Sequence, residues 1–365
     1  MKVFNAQLAR PVTIRNKSAT KTPWSAWRVL FSVPFLTGLL LVAIVLSISF
    51  GAYPVRVADW LSLFQVDDSA DVDRIRYLLL HIRLPRVALA LIVGAGLALA
   101  GGALQGLFRN PLADPGLVGV SGGAMLFAVA GLALVHPVVA FVTQAMGYAA
   151  VAVMAFVGSL CATWLVYRIA TAGQQTQIAS ILLAGIAISA LAGALTGLFT
   201  YFSDEQRLRD ITFWTLGSLS GANWQIAGVT AFPVSLSAFF ILKNTAGLNL
   251  FLLGESEAAF AGVPVQKLKK QIIIAIALAV GACVAVCGMI GFIGLVMPHL
   301  ARMGAGADHH KLLIRAALLG AILLLLADTA ARTIIAPAEL PIGVLTALLG
   351  APFFLWILMQ KKQVV

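Results

Sequence analysis

Charge is what this chain has least of. Only 11% of its 365 residues are Asp, Glu, Lys or Arg, while 61% are hydrophobic; soluble domains carry about 25% charged residues. A water-soluble fold is therefore excluded, and too little polar sequence remains for a separate soluble domain. Chemistry-bearing residues are scarce as well. No Gly-Lys dipeptide occurs, which excludes a phosphate-binding P-loop. No His-Glu-x-x-His occurs, and no pair of carboxylates falls within one apolar run. The three cysteines, Cys161, Cys283 and Cys287, all sit in apolar sequence. Cys283 and Cys287 share a helix face but have no His or acid near them, so they read as small core residues rather than metal ligands. The chain lacks an enzyme's equipment.

What is present is a series of apolar runs, each near the roughly 20 residues that cross a bilayer. Ten are expected, near 29–50, 85–107, 117–135, 138–167, 177–201, 226–242, 271–292, 294–306, 312–334 and 341–359, giving an all-α integral membrane fold. The formal net charge of +11 follows membrane topology and does not indicate nucleic acid. Residues 1–28 hold Lys2, Arg10, Arg15, Lys17, Lys21 and Arg28 with no acid, and form a basic cytoplasmic segment before a permease domain spanning 29–365. Acids at Asp59, Asp67, Asp68, Asp71 and Asp73 place 51–83 outside. Lys243, Lys267, Lys269 and Lys270 place 243–270 inside, and both termini are cytoplasmic.

Shifting the sequence by 187 residues aligns "VALALIVGAGLALAGGALQGLFRNP" with "IIAIALAVGACVAVCGMIGFIGLVMP", pairing Gly94 with Gly281, Gly101 with Gly288 and Pro111 with Pro298. An odd number of spans separates the copies, so helices 2–5 and 7–10 form an inverted repeat. Gly/Pro-broken helices at matching places in two halves point to a transport passage, because non-helical backbone at membrane depth must line a cavity or be buried in protein. Gly116, Gly119 and Gly122 in the first break, and Gly288, Gly291 and Pro298 in the second, are the expected lining. A tight turn between spans is the alternative for 107–116. Asp328, the one acid well inside an apolar run, has Arg332 four residues on, the spacing of a same-face pair; a helix-end ion pair and a proton relay both fit. So few intramembrane charges argue against ion coupling, and energy must come from elsewhere. Segment 249–266 mixes Phe251, Leu252, Leu253 and Phe260 with Gly254, Gly262 and Pro264, which suits a groove on a partner protein better than an anionic bilayer surface.

The blocks "RLPR" (83–86), "NPLADPGLVGVSGG" (110–123), "FWTLGSLSGANW" (213–224), "LGESEAAFAGV" (253–263), "GFIGLVMPHLAR" (291–302) and "LLADTAAR" (325–332) resemble the signatures of type II ABC importer permeases, which take up cobalamin, iron–siderophores and haem. The likeness runs from about residue 83 to the C-terminus. It implies ten helices per subunit, a homodimer in the bacterial inner membrane, two cytoplasmic ATPase subunits that carry the ATP and Mg, and a periplasmic binding protein. The chain itself would bind no cofactor or metal. The resemblance further implies that Arg83, Arg86 and Arg332 dock the binding protein, that Asn110 and Leu112 form a cytoplasmic gate, and that Gly254, Glu255, Ala258 and Gly262 couple to the ATPase. "DEQRLRDITFWTLGSLSGANW" (204–224) is most like the haem branch. Cargoes of iron–siderophore or cobalamin remain alternatives, as does a stand-alone channel or secondary transporter. His81 and His136 fall on the outer side, where a surface role suits them better than a ligand role.

Overall fold

In the computed structural model the structure describes residues 30–51, 53, 55–56, 59–60, 70–133, 148–173 and 175–362. The basic segment 1–28 and His136 lie outside them. The described residues are almost entirely helical. In chain order, α1 is Val33–Ser49 and α2 is Ala70–Tyr77, which runs through a π-helical turn, Leu78–Arg83, into α3, Leu84–Leu107. A 3-10 turn at Pro115–Val118 precedes α4, Val120–Ala133, and α5 is Tyr148–Ile169. A two-stranded antiparallel hairpin, β1 Thr171–Ala172 and β2 Gln175–Thr176, leads into α6, Ile178–Tyr201. Then come α7 Glu205–Leu216, α8 Trp224–Lys243, α9 Thr245–Phe251, α10 Glu255–Phe260, α11 Val265–Cys287, α12 Ile293–Ala305, α13 His309–Ala331 and α14 Ile342–Lys362.

Ten of these helices coincide with the ten expected spans; for the run 138–167, residues 138–147 are outside the described set. Six are long and apolar enough to cross a bilayer by themselves, and α1, α4 and α14 are shorter apolar helices. At 13 residues, α12 measures about 20 Å along its axis, short of the roughly 30 Å hydrocarbon core. It begins at membrane depth. A Cβ on Gly294, its second residue, would lie 3.1 Å from the Leu97 carbonyl, and Leu97 is about 20 Å down α3 from that helix's outer end. The amphipathic helix α7 was not anticipated, because its block carries too many charges to resemble a span.

The two halves pack alike. Exchanging α3, α4, α5 and α6 for α11, α12, α13 and α14 carries each contact among these eight helices onto another that exists: α3–α13 onto α11–α5, α4–α5 onto α12–α13, α4–α6 onto α12–α14, and α3–α12 onto α11–α4. Small residues permit the closest approaches. A Cβ on Gly94 would lie 2.3 Å from the Gly320 carbonyl oxygen, and one on its repeat partner Gly281 would lie 2.1 Å from the Ser159 hydroxyl. Gly94 and Gly281 thus do the same work in α3 and α11. The other two pairings do not hold as breaks. Gly101 lies inside α3, pressed on Gly294, whereas Gly288 ends α11 with φ 68°. Pro111 lies between helices, whereas Pro298 is inside α12. The helix end at that position belongs to the second half alone; the first half's helix continues for six more residues, to Leu107.

Candidate functional site: two broken regions, an outer ion-pair cluster and a cytoplasmic docking helix

Phe108 ends α3, and the chain reverses through Arg109, whose φ is 49°. The Asn110 side chain accepts from Leu112 N at 3.0 Å, and the Asp114 carboxylate from Gly116 N at 2.8 Å. Two consecutive Asx turns therefore shape the connection, each using a short polar side chain to replace a missing backbone partner. In the second break, Gly288 and Phe292 both take left-handed backbone, the latter at φ 67°. A phenylalanine there is strained by about 1–2 kcal/mol. Its ring sits over Gly350 of α14, where no Cβ could be accommodated. Strand-like contacts hold the outer side of this break: Ser218 N donates to Cys287 O at 2.8 Å and Ile342 N to Gly217 O at 3.0 Å. Thus α7 and the start of α14 close over the end of α11.

The breaks meet. Asp114, Pro115, Gly116 and Ser121 from the first, and Met289, Ile290, Gly291, Phe292 and Gly294 from the second, line one cavity of about 60 Å³ with Leu97, Val280 and Val284. Of the expected lining residues, Gly116 and Gly291 are in it. Gly288 borders a larger, mostly apolar space of about 990 Å³ between α5, α7, α8 and α11. Gly119, Gly122 and Pro298 do not line either. Gly119 packs on Val166 and Ile188, Gly122 on Ser189, and Pro298 lies beside the position where a Gly102 Cβ would be. They serve helix contact, since their neighbours are close side chains rather than open space.

At the outer ends of α1, α3 and α13 lies an ion-pair cluster. Arg86 reaches Asp328 at 2.9 Å and, through a two-pronged contact, Glu339 at 2.8 and 2.9 Å. Arg332 Nε is 3.2 Å from Asp328, and its Nη2 donates to the Ser47 carbonyl at 2.7 Å. Arg83 donates to the carbonyls of Ile48 and Ser49 at the end of α1 and of Tyr53 just beyond it. Within this chain Arg83 is 3% exposed and Arg86 and Arg332 are 7% each. Their donors are turned onto this chain's own acceptors. Asp328 and Arg332 do form the helix-end pair, with Arg86 and Glu339 joining it. Glu339, which no spacing rule connects to Arg86, is the half-exposed member.

On the cytoplasmic side, Gly254 at φ 145° starts the six-residue α10. Ala258 is its buried contact, Gly262 at φ 87° releases the chain, and Phe260 and Leu253 are 92% and 71% exposed. Glu255 reaches back to Lys269 Nζ at 2.5 Å. Beside it, the Asn249 side chain accepts from His309 N at 2.8 Å and donates to Asp308 at 3.0 Å, tying α9 to the start of α13. No cluster of three metal-ligating side chains occurs among the described residues.

Residues 39–360 match the FecCD transport family. The chain belongs to it. The hemin transport system permease protein HmuU of Yersinia pestis is 47% identical over 296 residues, covering 80% of this chain and 86% of that protein. The vitamin B12 import system permease protein BtuC of Citrobacter koseri is 39% identical over 330 residues, covering 90% and 94%. Among solved structures, a metal-chelate type ABC transporter in an inward-facing conformation aligns at a TM-score of 0.77 and 34% identity, over 89% of this chain and 97% of that one. This FecCD permease is therefore the multi-pass, inner-membrane transport subunit of an ABC importer and not an enzyme in its own right.

Proposed function

We propose that this FecCD permease takes up haem, working as a homodimer between a periplasmic binding protein and two cytoplasmic ATPase subunits that bind ATP and Mg. The observation that carries the cargo is the graded similarity: 47% identity to a hemin permease, against 39–40% to vitamin B12 permeases. The block 204–224, which forms α7 and its outer connection, is in accord with that reading.

The mechanism is alternating access. Gly254, Glu255, Ala258 and Gly262 frame the helix that the ATPase grips, with Phe260 as the apolar anchor of an exposed, amphipathic contact. The connection 108–119, carrying Asn110 and Leu112, closes the inner side of the passage, and the strained turn at Phe292 borders it from the second half. A break without a cluster of metal-ligating side chains among the described residues suits a large, planar cargo that is passed along rather than bound tightly.

The experiment is to assemble the chain with its ATPase and ask which loaded binding protein stimulates hydrolysis. Haem, followed in the Soret band, is the expected cargo; stimulation by a cobalamin- or siderophore-loaded protein instead would replace haem by that cargo.

A further inference from the structure

Lys269 is buried to 1% exposure near the cytoplasmic start of α11. Its Nζ donates to the Glu255 carboxylate of α10 at 2.5 Å and to the Thr176 carbonyl of the β1–β2 hairpin at 2.6 Å. Three residues earlier on the same helix, the Gln266 side chain accepts from Thr176 N at 3.0 Å. Both backbone groups of Thr176 are thus held by one face of α11. The hairpin is closed by Thr171 and Thr176 hydroxyls 3.0 Å apart and by Gln177 N donating to Ala170 O at 3.1 Å. It runs directly into α6. There Gly185 lies so near the 108–119 connection that a Cβ on it would be 1.9 Å from the Leu117 carbonyl.

We propose that Lys269 is a positioning residue that locks the ATPase-facing helix α10 to the hairpin 171–176, so that movement of α10 is passed through α6 to the 108–119 connection. This rests on the reading of α10 as the ATPase contact. A buried ammonium that leaves both its carboxylate and its carbonyl finds no water in their place, so Glu255, Lys269 and Thr176 move together or not at all. Glu255 is half-exposed and can feel a partner; Lys269 is not exposed and can only transmit. Between α6 and Leu117 there is no slack to absorb a displacement, because backbone meets backbone.

The test uses the whole importer, with ATPase and loaded binding protein, in proteoliposomes. In Lys269→Met the complex should still assemble and hydrolyse ATP at close to its basal rate. Stimulation by the loaded binding protein should be lost, and uptake should fall by about tenfold. Lys269→Arg, which keeps charge and donors, should recover much of the uptake. Lys269→Met with unchanged stimulation and uptake overturns the proposal. Hydrogen exchange on the unmodified complex decides the matter if Lys269→Met fails to assemble. Peptides covering 170–177 and 255–260 should change protection together when nucleotide is trapped, and a response confined to 255–260 overturns the proposal. Failure of the unmodified chain to associate with any ATPase would instead strike at the reading of α10 itself.

Discussion

Glu339 and Arg86 lie 253 residues apart and meet in a two-pronged contact. The hydrogen bonds from Arg86 hold the Glu339 carboxyl below its ordinary value. A depressed carboxyl contributes stability that is present above the unfolded value, about 4.3, and is lost as pH falls through the lower folded value. The melting midpoint of Glu339→Gln should therefore lie below that of the unmodified protein at neutral pH, and the gap should close on acidification below about pH 4. A gap that stays constant with pH would remove the charge pair as its source. Glycines give a second test at this scale. A Cβ on Gly101 would lie 1.8 Å from the Gly294 carbonyl oxygen, where neither backbone can retreat without parting α3 from α12. Gly101→Val should cost about 1–3 kcal/mol or more, read as a lowered melting midpoint in detergent. Gly228 of α8 has open space where its Cβ would be, and Gly228→Val should leave the midpoint unchanged. Of such contacts the sequence discloses only the requirement for small residues. It pairs Gly94 with Gly281 correctly by work done, and it cannot say that Gly101 is a packing residue while Gly288 is a helix end, since both are glycines in apolar runs.

At the scale of elements, ten helices were legible because each apolar run approaches the thickness of a bilayer, which is a property of length and composition. The elements that escaped are those whose reason lies elsewhere in the molecule. Helix α7 is polar on one side and exists as a lid over the end of α11, held by Ser218 and Cys287. The hairpin at 171–176 is pinned by α11. The helix α10 buries Ala258 and leaves Phe260 exposed. Phe260→Asp should abolish co-purification with the ATPase while leaving the melting midpoint of the isolated chain unaltered, because a 92% exposed ring contributes nothing to this chain's own core. A lowered midpoint would mean that Phe260 packs within the chain.

For the whole molecule, the two halves enclose their breaks against each other, and the ion pairs of Arg86 and Arg332 with Asp328 and of Lys269 with Glu255 lie at the outer and cytoplasmic edges of the membrane. Vesicles containing this chain alone should take up no cargo, with or without ATP inside. Uptake should begin only when the ATPase, ATP and a loaded binding protein are all supplied. Cargo movement by the chain alone would assign it to the channels or secondary transporters.

By itself the sequence determined the solvent, the number of spans, their direction and the existence of two related halves, because hydrophobic length, loop charge and repeated small residues are local quantities that a bilayer reads one segment at a time. Only the tertiary structure decided what the charged residues do. Arg83, Arg86 and Arg332 sit where loop arithmetic puts them, at the outer ends of helices. Which groups such a guanidinium meets within the chain depends on acceptors contributed by α1, α13 and the segment before α14, which come together only when the helices have packed.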